Sequence, residues 1–138
     1  MNKVVKASNT DATSICVLIG RESQRGSVLK RTADEVEEVI NTSNKGAFFV
    51  CKDGKKVIAC AGIEIYTPRL AEVRSVVVSE TYRGNGLGKQ LITKCLDYGQ
   101  NKKITKIIAY TDKIDFFKKL GFKEYLKNQK VVFLSYEY

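Results

Sequence analysis

The spacing of apolar and polar residues changes several times along this 138-residue chain, and each spacing predicts a different element. Residues 3–8 predict a short strand, and the helical spacing of residues 10–20 predicts a helix that ends near Gly20. Residues 21–29 are mostly polar and predict a loop. These elements make up the first quarter of the chain.

Two turn-and-cap patterns organise the middle of the chain. Thr32 and Glu35 have the spacing of a capping box, so a second helix is expected there. Asp53-Gly54 separates two β-rich runs and predicts a hairpin. A strand over residues 71–79 follows, and strict alternation divides it into two faces. One face is expected to carry Glu72, Arg74, Val76 and Val78, and the other Val73, Ser75 and Val77.

The last third predicts a helix over 86–101, a strand over 104–110 and a short helix that ends at Gly121. Residues 122–126 and 131–138 predict two closing strands, and 131–138 would pair two copies if it formed an exposed edge. A monomer or a homodimer is therefore expected. The order β-α-α-β-β-β-α-β-α-β-β favours one α+β domain over 1–138, with helices packed on a mixed sheet.

Composition narrows the chemistry. The chain has no histidine, which excludes Ser-His-Asp and Cys-His nucleophiles and leaves a carboxylate, tyrosine, lysine or relayed water as general base. Four cysteines lie in apolar stretches without C-x-x-C spacing, so we expect buried free thiols and no metal site. The net charge of +9 comes from dispersed lysines and indicates either a solvated surface or an anionic partner.

Nothing in the sequence predicts a membrane or secretory protein. No apolar run reaches the roughly 18 residues of a membrane span, and the N-terminal residues lack a signal-peptide pattern. A cytoplasmic location without membrane partners is therefore the expectation.

The segment ETYRGNGLGKQL, residues 80–91, places Gly84, Gly86 and Gly88 between a strand and a helix. Unpaired N–H groups at a helix start attract anions, and glycines let the backbone approach a diphosphate closely. Arg83 and Lys89 add positive charge on either side. The segment therefore predicts a site for a pyrophosphate-like group.

Three interpretations of the glycines compete on local pattern alone. A nucleotide P-loop needs G-x-x-x-x-G-K-[ST], which is absent. A dinucleotide site needs G-x-G-x-x-G in a βαβ unit, whereas this segment gives G-x-G-x-G without that context. A purely structural turn also remains open.

The wider sequence resembles the GNAT N-acetyltransferase superfamily. VRSVVVSETYRGNGLGKQLI is similar to its acetyl-coenzyme A motif, an apolar strand followed by R/Q-x-x-G-x-G/A, and KIIAYTDKIDFFKKLGFKEY is similar to its downstream strand and short helix ending in GF. GSVLKRTADEVEEVI and VIACAGIEIY further resemble the acetyltransferase domain of N-acetylglutamate synthases and their short relatives. The resemblance implies a mixed, mostly antiparallel sheet of about seven strands flanked by about four helices.

The resemblance also implies where acetyl-coenzyme A binds. Its pantetheine arm would pair with the backbone of Val76, Val77 and Val78, and a backbone N–H there would meet the oxyanion. Phe117 occupies the position at which many GNAT enzymes place a tyrosine at the cofactor thiol. The pyrophosphate would lie on the N–H groups of Arg83, Gly84, Asn85, Gly86, Leu87, Gly88 and Lys89.

Catalytic and substrate residues are expected near the same strand. Glu72 is the expected general base, and Glu64 is the second candidate for that role. The simpler alternative for Glu72 is a cross-strand ion pair. Arg74 would suit a substrate carboxylate, although a structural ion pair is an equal alternative. Because Phe117 cannot donate a proton, either Tyr110 protonates the leaving thiolate or the thiolate leaves unaided.

Three functions fit these expectations. The first is acetyl-coenzyme A-dependent acetylation of a small amine, such as an amino acid. The second is acetylation of a protein, peptide or aminoacyl-tRNA, for which the +9 charge would hold an acidic macromolecule. The third is a non-catalytic coenzyme A or nucleic-acid-binding module, although no nucleic-acid motif is present.

Overall fold

The computed structural model describes residues 3–24, 31–124 and 131–138. Within these residues, seven strands and four helices follow one another in the predicted order. The strands are β1 (Val4–Lys6), β2 (Gly46–Asp53), β3 (Lys56–Thr67), β4 (Leu70–Val78), β5 (Lys106–Tyr110), β6 (Lys123–Glu124) and β7 (Val131–Ser135). The helices are α1 (Ala12–Gln24), α2 (Ala33–Asn41), α3 (Leu87–Asn101) and α4 (Ile114–Lys118).

The strands form one sheet in the order β1-β2-β3-β4-β5-β7-β6. β4 and β5 pair in parallel, and the other neighbours in the described sheet pair antiparallel. The predicted mixed, mostly antiparallel sheet is confirmed. The exposed edge through which 131–138 would have paired two copies is not formed by β7, which lies between β5 and β6 and pairs with β6 at Val132 and Phe133.

Helices cover both faces of the sheet. α3 and α4 enclose one apolar core, to which α3 contributes Leu91, Ile92 and Cys95. α1 and α2 enclose a second core on the opposite face, built around residues such as Ile15 and Val36. None of the helices in the described ranges is long and apolar enough to span a lipid bilayer.

The local signals of the sequence decide most element ends. The Thr32 hydroxyl accepts the N–H of Glu35, whose carboxylate accepts the N–H of Thr32, which confirms the capping box. Asp53 ends β2 at the predicted hairpin. α1, however, continues past Gly20 to Gln24, because the burial of its apolar face outweighs the roughly 1 kcal/mol cost of a helical glycine. The rest of the predicted 21–29 loop, and residues 125–126 of the predicted strand, lie outside the described residues.

A β-bulge in β4 overturns the predicted alternation. Cys60 opposes Val77 but Gly62 opposes Arg74, so β4 has one residue more than β3 at this point. Ser75, the bulge residue, has a φ of 58°. Because an extra residue reverses the side-chain alternation, Val76 packs into the α3-side core although Arg74 points to the opposite face. Glu72 and Arg74 therefore share a face with Val77, and not with Val76 and Val78 as predicted.

The bulge lies where β4 and β5 separate. Their pairing is confined to Leu70–Glu72 with 106–108, whereas β4 continues to Val78 along β3 and β5 continues to Tyr110 along β7. The two strands therefore leave a gap in the middle of the sheet, and the backbone of β4 beyond the bulge lines one side of it.

Candidate active site

The glycine segment forms a loop that ends at the first turn of α3. Gly84 and Gly86 have φ values of 82° and 78°, a left-handed backbone that glycine adopts without strain. Gly86 is the N-cap of α3, and its carbonyl accepts the N–H of Gln90. The N–H groups of the first helical turn have no partner within the helix, so they are donors for an anion.

A cleft of about 530 Å³ runs from this loop along the separated end of β4. One end offers glycine backbone and cationic side chains, and the rest is mainly apolar. This division matches a ligand with phosphates at one end and a long uncharged arm, as in coenzyme A. The cleft is lined by Glu22, Val76, Val77, Val78, Tyr82, Arg83, Gly84, Gly86, Leu87, Gly88, Lys113 and Phe116.

Most of the cofactor residues expected from the sequence line this cleft, and three do not. Asn85 donates from Nδ2 to the carbonyl of Tyr82 and so closes the loop, and Lys89 is exposed on α3. Phe117 is buried in the core, where its ring packs edge-on against Phe116. The expected placement of Phe117 at the cofactor is therefore not observed, because the turn of α4 presents the neighbouring Phe116 to the cleft.

Arg83 is held by two contacts that the sequence does not predict. Its Nε donates to the carbonyl of Val78 at 3.0 Å, and its Nη2 lies 3.0 Å from Oε1 of Glu22 on α1. The Glu22 side chain is buried, whereas that of Arg83 is about half exposed. The guanidinium thus joins the end of β4 to α1 across one wall of the cleft.

Glu22, Tyr82, Lys113 and Phe116 are cleft residues that the sequence reasoning missed. The Tyr82 hydroxyl donates to the Asp53 carboxylate, which ties the loop to the β2–β3 turn. Lys113 and Phe116 lie inside the downstream segment KIIAYTDKIDFFKKLGFKEY, so that segment was a usable signal for them. For Glu22, which approaches from a distant helix, the sequence offers no local signal.

On the other face of β4, a buried carboxylate lies between two guanidinium groups. Arg31, just before α2, donates from Nη2 to Oε1 of Glu64 at 3.0 Å and from Nη1 to Oε2 at 3.2 Å. Arg74 Nη1 lies 3.1 Å from the same Oε2. Arg74 is thus in the structural ion pair that was its alternative role, and Glu64 is its partner.

Glu72 has a different environment, although it faces Glu64 across β3 and β4. Its Oε1 accepts a hydrogen bond from the Tyr66 hydroxyl. Burial, together with the hydrogen bond and charge of Glu72, raises the pKa of Tyr66 to about 12. Burial acts to lower the pKa of the Arg74 guanidinium, but the negative charges of Glu64 and Glu72 outweigh burial and raise that pKa.

The bulge connects this polar cluster to the gap in the sheet. Arg31 Nη1 lies 3.5 Å from the Ser75 hydroxyl, and the Cys60 thiol donates to the Ser75 carbonyl at 3.3 Å. Burial raises the pKa of Cys60 to about 12, so this thiol is an inert packing group. Ser75 therefore contacts both the polar cluster, through Arg31, and the α1-side core, through Cys60.

Tyr110 is the last residue of β5 and is 73% exposed. Ile108 aligns with Glu72, and Ile107 and Ala109 belong to the α3-side core. Tyr110 therefore lies on the same face as Glu72, beside the gap. In the described residues, no group of three side chains is arranged to hold a metal ion.

Comparisons with known proteins agree with this geometry. The sequence profile described as the acetyltransferase (GNAT) family matches residues 19–122. An uncharacterized N-acetyltransferase of Chlorobaculum tepidum is 32% identical over 121 residues, which cover 88% of this chain and 75% of the relative. An uncharacterized N-acetyltransferase of Methanocaldococcus jannaschii is 32% identical over 94 residues, which cover 59% of this chain and 41% of that relative.

Solved structures share the fold. The N-acetylglutamate synthase of Neisseria gonorrhoeae, complexed with coenzyme A and N-acetyl-glutamate, matches with a TM-score of 0.82 at 18% identity. The match covers 100% of this chain but 36% of the synthase. A Mycobacterium tuberculosis protein in complex with CoA and NLQ matches with a TM-score of 0.78 at 21% identity, over 90% of this chain and 73% of that one. The chain belongs to the acetyltransferase (GNAT) family, and it is an N-acetyltransferase.

Proposed function

We propose that this enzyme transfers an acetyl group to the primary amine of a small molecule, with amino acids as the favoured class, by direct attack in a ternary complex. One observation carries the proposal: Glu72 lies at the last paired position of β4, immediately before the gap between β4 and β5. A carboxylate at this place can take the proton of an amine that approaches the gap.

The cleft residues would hold the cosubstrate in the extended form that the gap allows. The backbone of Val76–Val78 would pair with its arm, and the N–H groups of 84–88 would bind its pyrophosphate. When bound, acetyl-coenzyme A supplies an acetyl thioester as the electrophile. Backbone N–H groups of the bulged strand are the nearest donors for the oxyanion.

The two glutamates are suited to different tasks. Glu64 accepts from Arg31 at both oxygens and lies against Arg74 at Oε2, so both of its oxygens are already engaged. Glu72 has the neutral Tyr66 hydroxyl as its side-chain partner among the described residues. We therefore assign the base to Glu72, acting directly or through a water, and a positioning task to Glu64.

Arg74 is the proposed contact for a substrate carboxylate. Its side chain is 29% exposed, and its guanidinium contacts Glu64 and the Tyr66 hydroxyl. A guanidinium has five N–H donors, more than these two contacts use. The evidence for an amino acid therefore depends on Arg74.

Tyr110 is the proposed acid for the leaving thiolate. It stands beside the gap, whereas the buried Phe117 carries no proton donor. A thiol with a pKa near 8.5 needs little assistance, so we expect Tyr110→Phe to lower kcat by no more than about tenfold. An unchanged kcat would show that the thiolate leaves unaided.

The test is a thiol-release assay with acetyl-coenzyme A over a panel of amino acids, polyamines, peptides and aminoacyl-tRNA. We expect turnover with a small amine, and a fall in kcat of about 100-fold or more in Glu72→Gln. Glu137→Gln, an exposed change near the C-terminus, is the control. Turnover of peptides or tRNA alone would replace the small-molecule proposal with the macromolecular one, and unchanged turnover in Glu72→Gln would remove the base assignment.

Cosubstrate binding is measured separately by thermal shift. A ligand that binds the native state alone stabilises it, so acetyl-coenzyme A should raise the Tm of both the parent chain and Glu72→Gln. Absence of a shift at saturating concentration would contradict the placement of the cosubstrate in this cleft.

A further inference from the structure

We propose that Tyr66 is a positioning residue for Glu72: its hydroxyl fixes one oxygen of the carboxylate and leaves the other to accept the proton. This inference depends on the proposed function, in which Glu72 is the general base. The observation behind it is the hydrogen bond between the Tyr66 hydroxyl and Oε1 of Glu72. Within the described part of the chain, Oε2 of Glu72 accepts no side-chain hydrogen bond.

The strand register brings the two side chains together. Tyr66 is the penultimate residue of β3, and Ile65 opposes Ala71, so Tyr66 lies diagonally across from Glu72. Side chains in this relation reach each other when one of them is long or aromatic. The terminal torsion of a glutamate is broad, so one oxygen must be held if the other is to have a fixed direction.

Tyr66 is an uncharged partner for Glu72, and this matters because Glu64 and Glu72 face each other across β3 and β4. Like charges directly opposite in a sheet are unfavourable, and Arg31 and Arg74 neutralise Glu64. A third cation on Glu72 would hold it as a carboxylate and weaken it as a base. A tyrosine hydroxyl fixes the carboxylate without adding a positive charge.

Tyr66 also remains a donor at the pH of an assay. Its pKa is raised to about 12 by burial and by its contact with Glu72, so the hydroxyl stays protonated at neutral and moderately alkaline pH. Tyr66 is 49% exposed, which leaves the dyad in reach of solvent and of an incoming amine.

Several other charged or titratable groups face Glu72, and they must be the same in two proteins whose pH profiles are compared. Glu64 and Arg74 lie on the adjoining positions of β3 and β4. Others come from the segment before α2, from α2 and from the same face of β5. They are Arg31, Glu35, Lys106 and Tyr110. Tyr66→Phe keeps the charge of all these groups, but it also removes the contact between the Tyr66 hydroxyl and Arg74.

The experiment compares Tyr66→Phe with the parent chain, using whichever amine the panel identifies. We expect kcat to fall about tenfold with the KM for acetyl-coenzyme A within about twofold, since a lost hydrogen bond affects the base and not the cleft. The acid limb of kcat/KM should move to higher pH, because the hydrogen bond stabilises the carboxylate form. Tyr138→Phe, which loses a hydrogen bond to the Ile104 carbonyl, is the matched control.

A second measurement is independent of the acceptor. Carboxyl-carbon NMR of 13C-glutamate-labelled protein at a fixed neutral pH, with Glu72→Gln for assignment, reports the surroundings of the Glu72 carboxylate in both forms. Its resonance should move in Tyr66→Phe and stay in place in Tyr138→Phe, because only the first change removes the contact with Oε1. An unchanged resonance with unchanged kcat would overturn the positioning role. Full activity in Glu72→Gln would show that the proposed base is wrong. Loss of activity in Glu72→Gln with full activity in Tyr66→Phe is a different result, which would count against the positioning role alone.

Discussion

Gly54 and Gly86 hold the same left-handed backbone conformation, with φ values of 62° and 78°, one in the β2–β3 turn and the other at the N-cap of α3. A Cβ built at either position meets no atom within 4 Å. The two glycines are therefore alike in backbone strain and differ in location, since Gly86 lines the cleft.

Substitution of these two glycines distinguishes the effect of backbone strain from the effect on ligand binding. Alanine at either position should lower the free energy of unfolding by about 1 kcal/mol, because a left-handed residue with a Cβ is strained. Gly86→Ala alone should weaken coenzyme A binding, by about tenfold or more, because its methyl group enters the space of the pyrophosphate. Urea unfolding and calorimetric titration measure the two effects. Equal coenzyme A affinities in both variants would contradict the pyrophosphate placement.

Loss of the buried carboxylate should be costly. Glu64→Gln removes the buried anionic partner of Arg31, whose side chain is only 4% exposed, and leaves it the exposed Glu35 carboxylate at 3.7 Å. Breaking a buried pair costs about 3–5 kcal/mol, and the expected loss of unfolding free energy is at the lower end because glutamine still accepts a hydrogen bond. Glu38→Gln is the control, since Glu38 and Lys45 form an exposed pair worth less than about 1 kcal/mol. Equal losses in the two variants would disprove the buried cluster.

Acid stability should depend on Asp11. Burial opposes its ionisation, but Lys52 and the Ser8 amide outweigh burial and lower its pKa below the usual 3.8. A lowered pKa contributes stability above the usual value that is lost as pH falls through the native one. Asp11→Asn should therefore lose less unfolding free energy between pH 5 and pH 2 than the parent chain. Asp97→Asn, an exposed change on α3, is the control, and an equal effect in both variants would contradict the role of Asp11.

The thiols should be protected in the native state. Cys51, Cys60 and Cys95 are buried, Cys16 is partly exposed, and burial raises the pKa of all four. A chromogenic disulfide reagent at neutral pH should react with Cys16 slowly and with all four only after unfolding. Rapid reaction of a second thiol in folded protein would contradict the packing described around Cys60 and Cys95.

Local sequence signals predicted the fold because each acts over a few residues. The Thr32–Glu35 capping box, the Asp53-Gly54 turn and the glycines at the start of α3 each satisfy backbone groups nearby. The bulge at Ser75 has no such signature, since serine is not a usual marker of positive φ. One unmarked residue therefore reversed the predicted faces of half of β4.

The site was predicted where it is continuous in sequence and missed where the fold assembles it. The cleft residues of 83–88 and 76–78 belong to one segment, and most were identified. Glu22 reaches the cleft from α1, and Tyr66 reaches Glu72 across a strand pair, so both depend on tertiary packing. The choice between Phe116 and Phe117 depends on the rotation of a single helical turn.

The two edges of the described sheet offer little unpaired backbone to which a strand of another protein could add. Its outer strands, β1 and β6, are three and two residues long. Short edges are poor templates for aggregation. The longer stretch of unpaired backbone is internal, along β4 past the bulge. The sheet is thus most open to an added extended chain at its centre, between the helices that pack on its two faces.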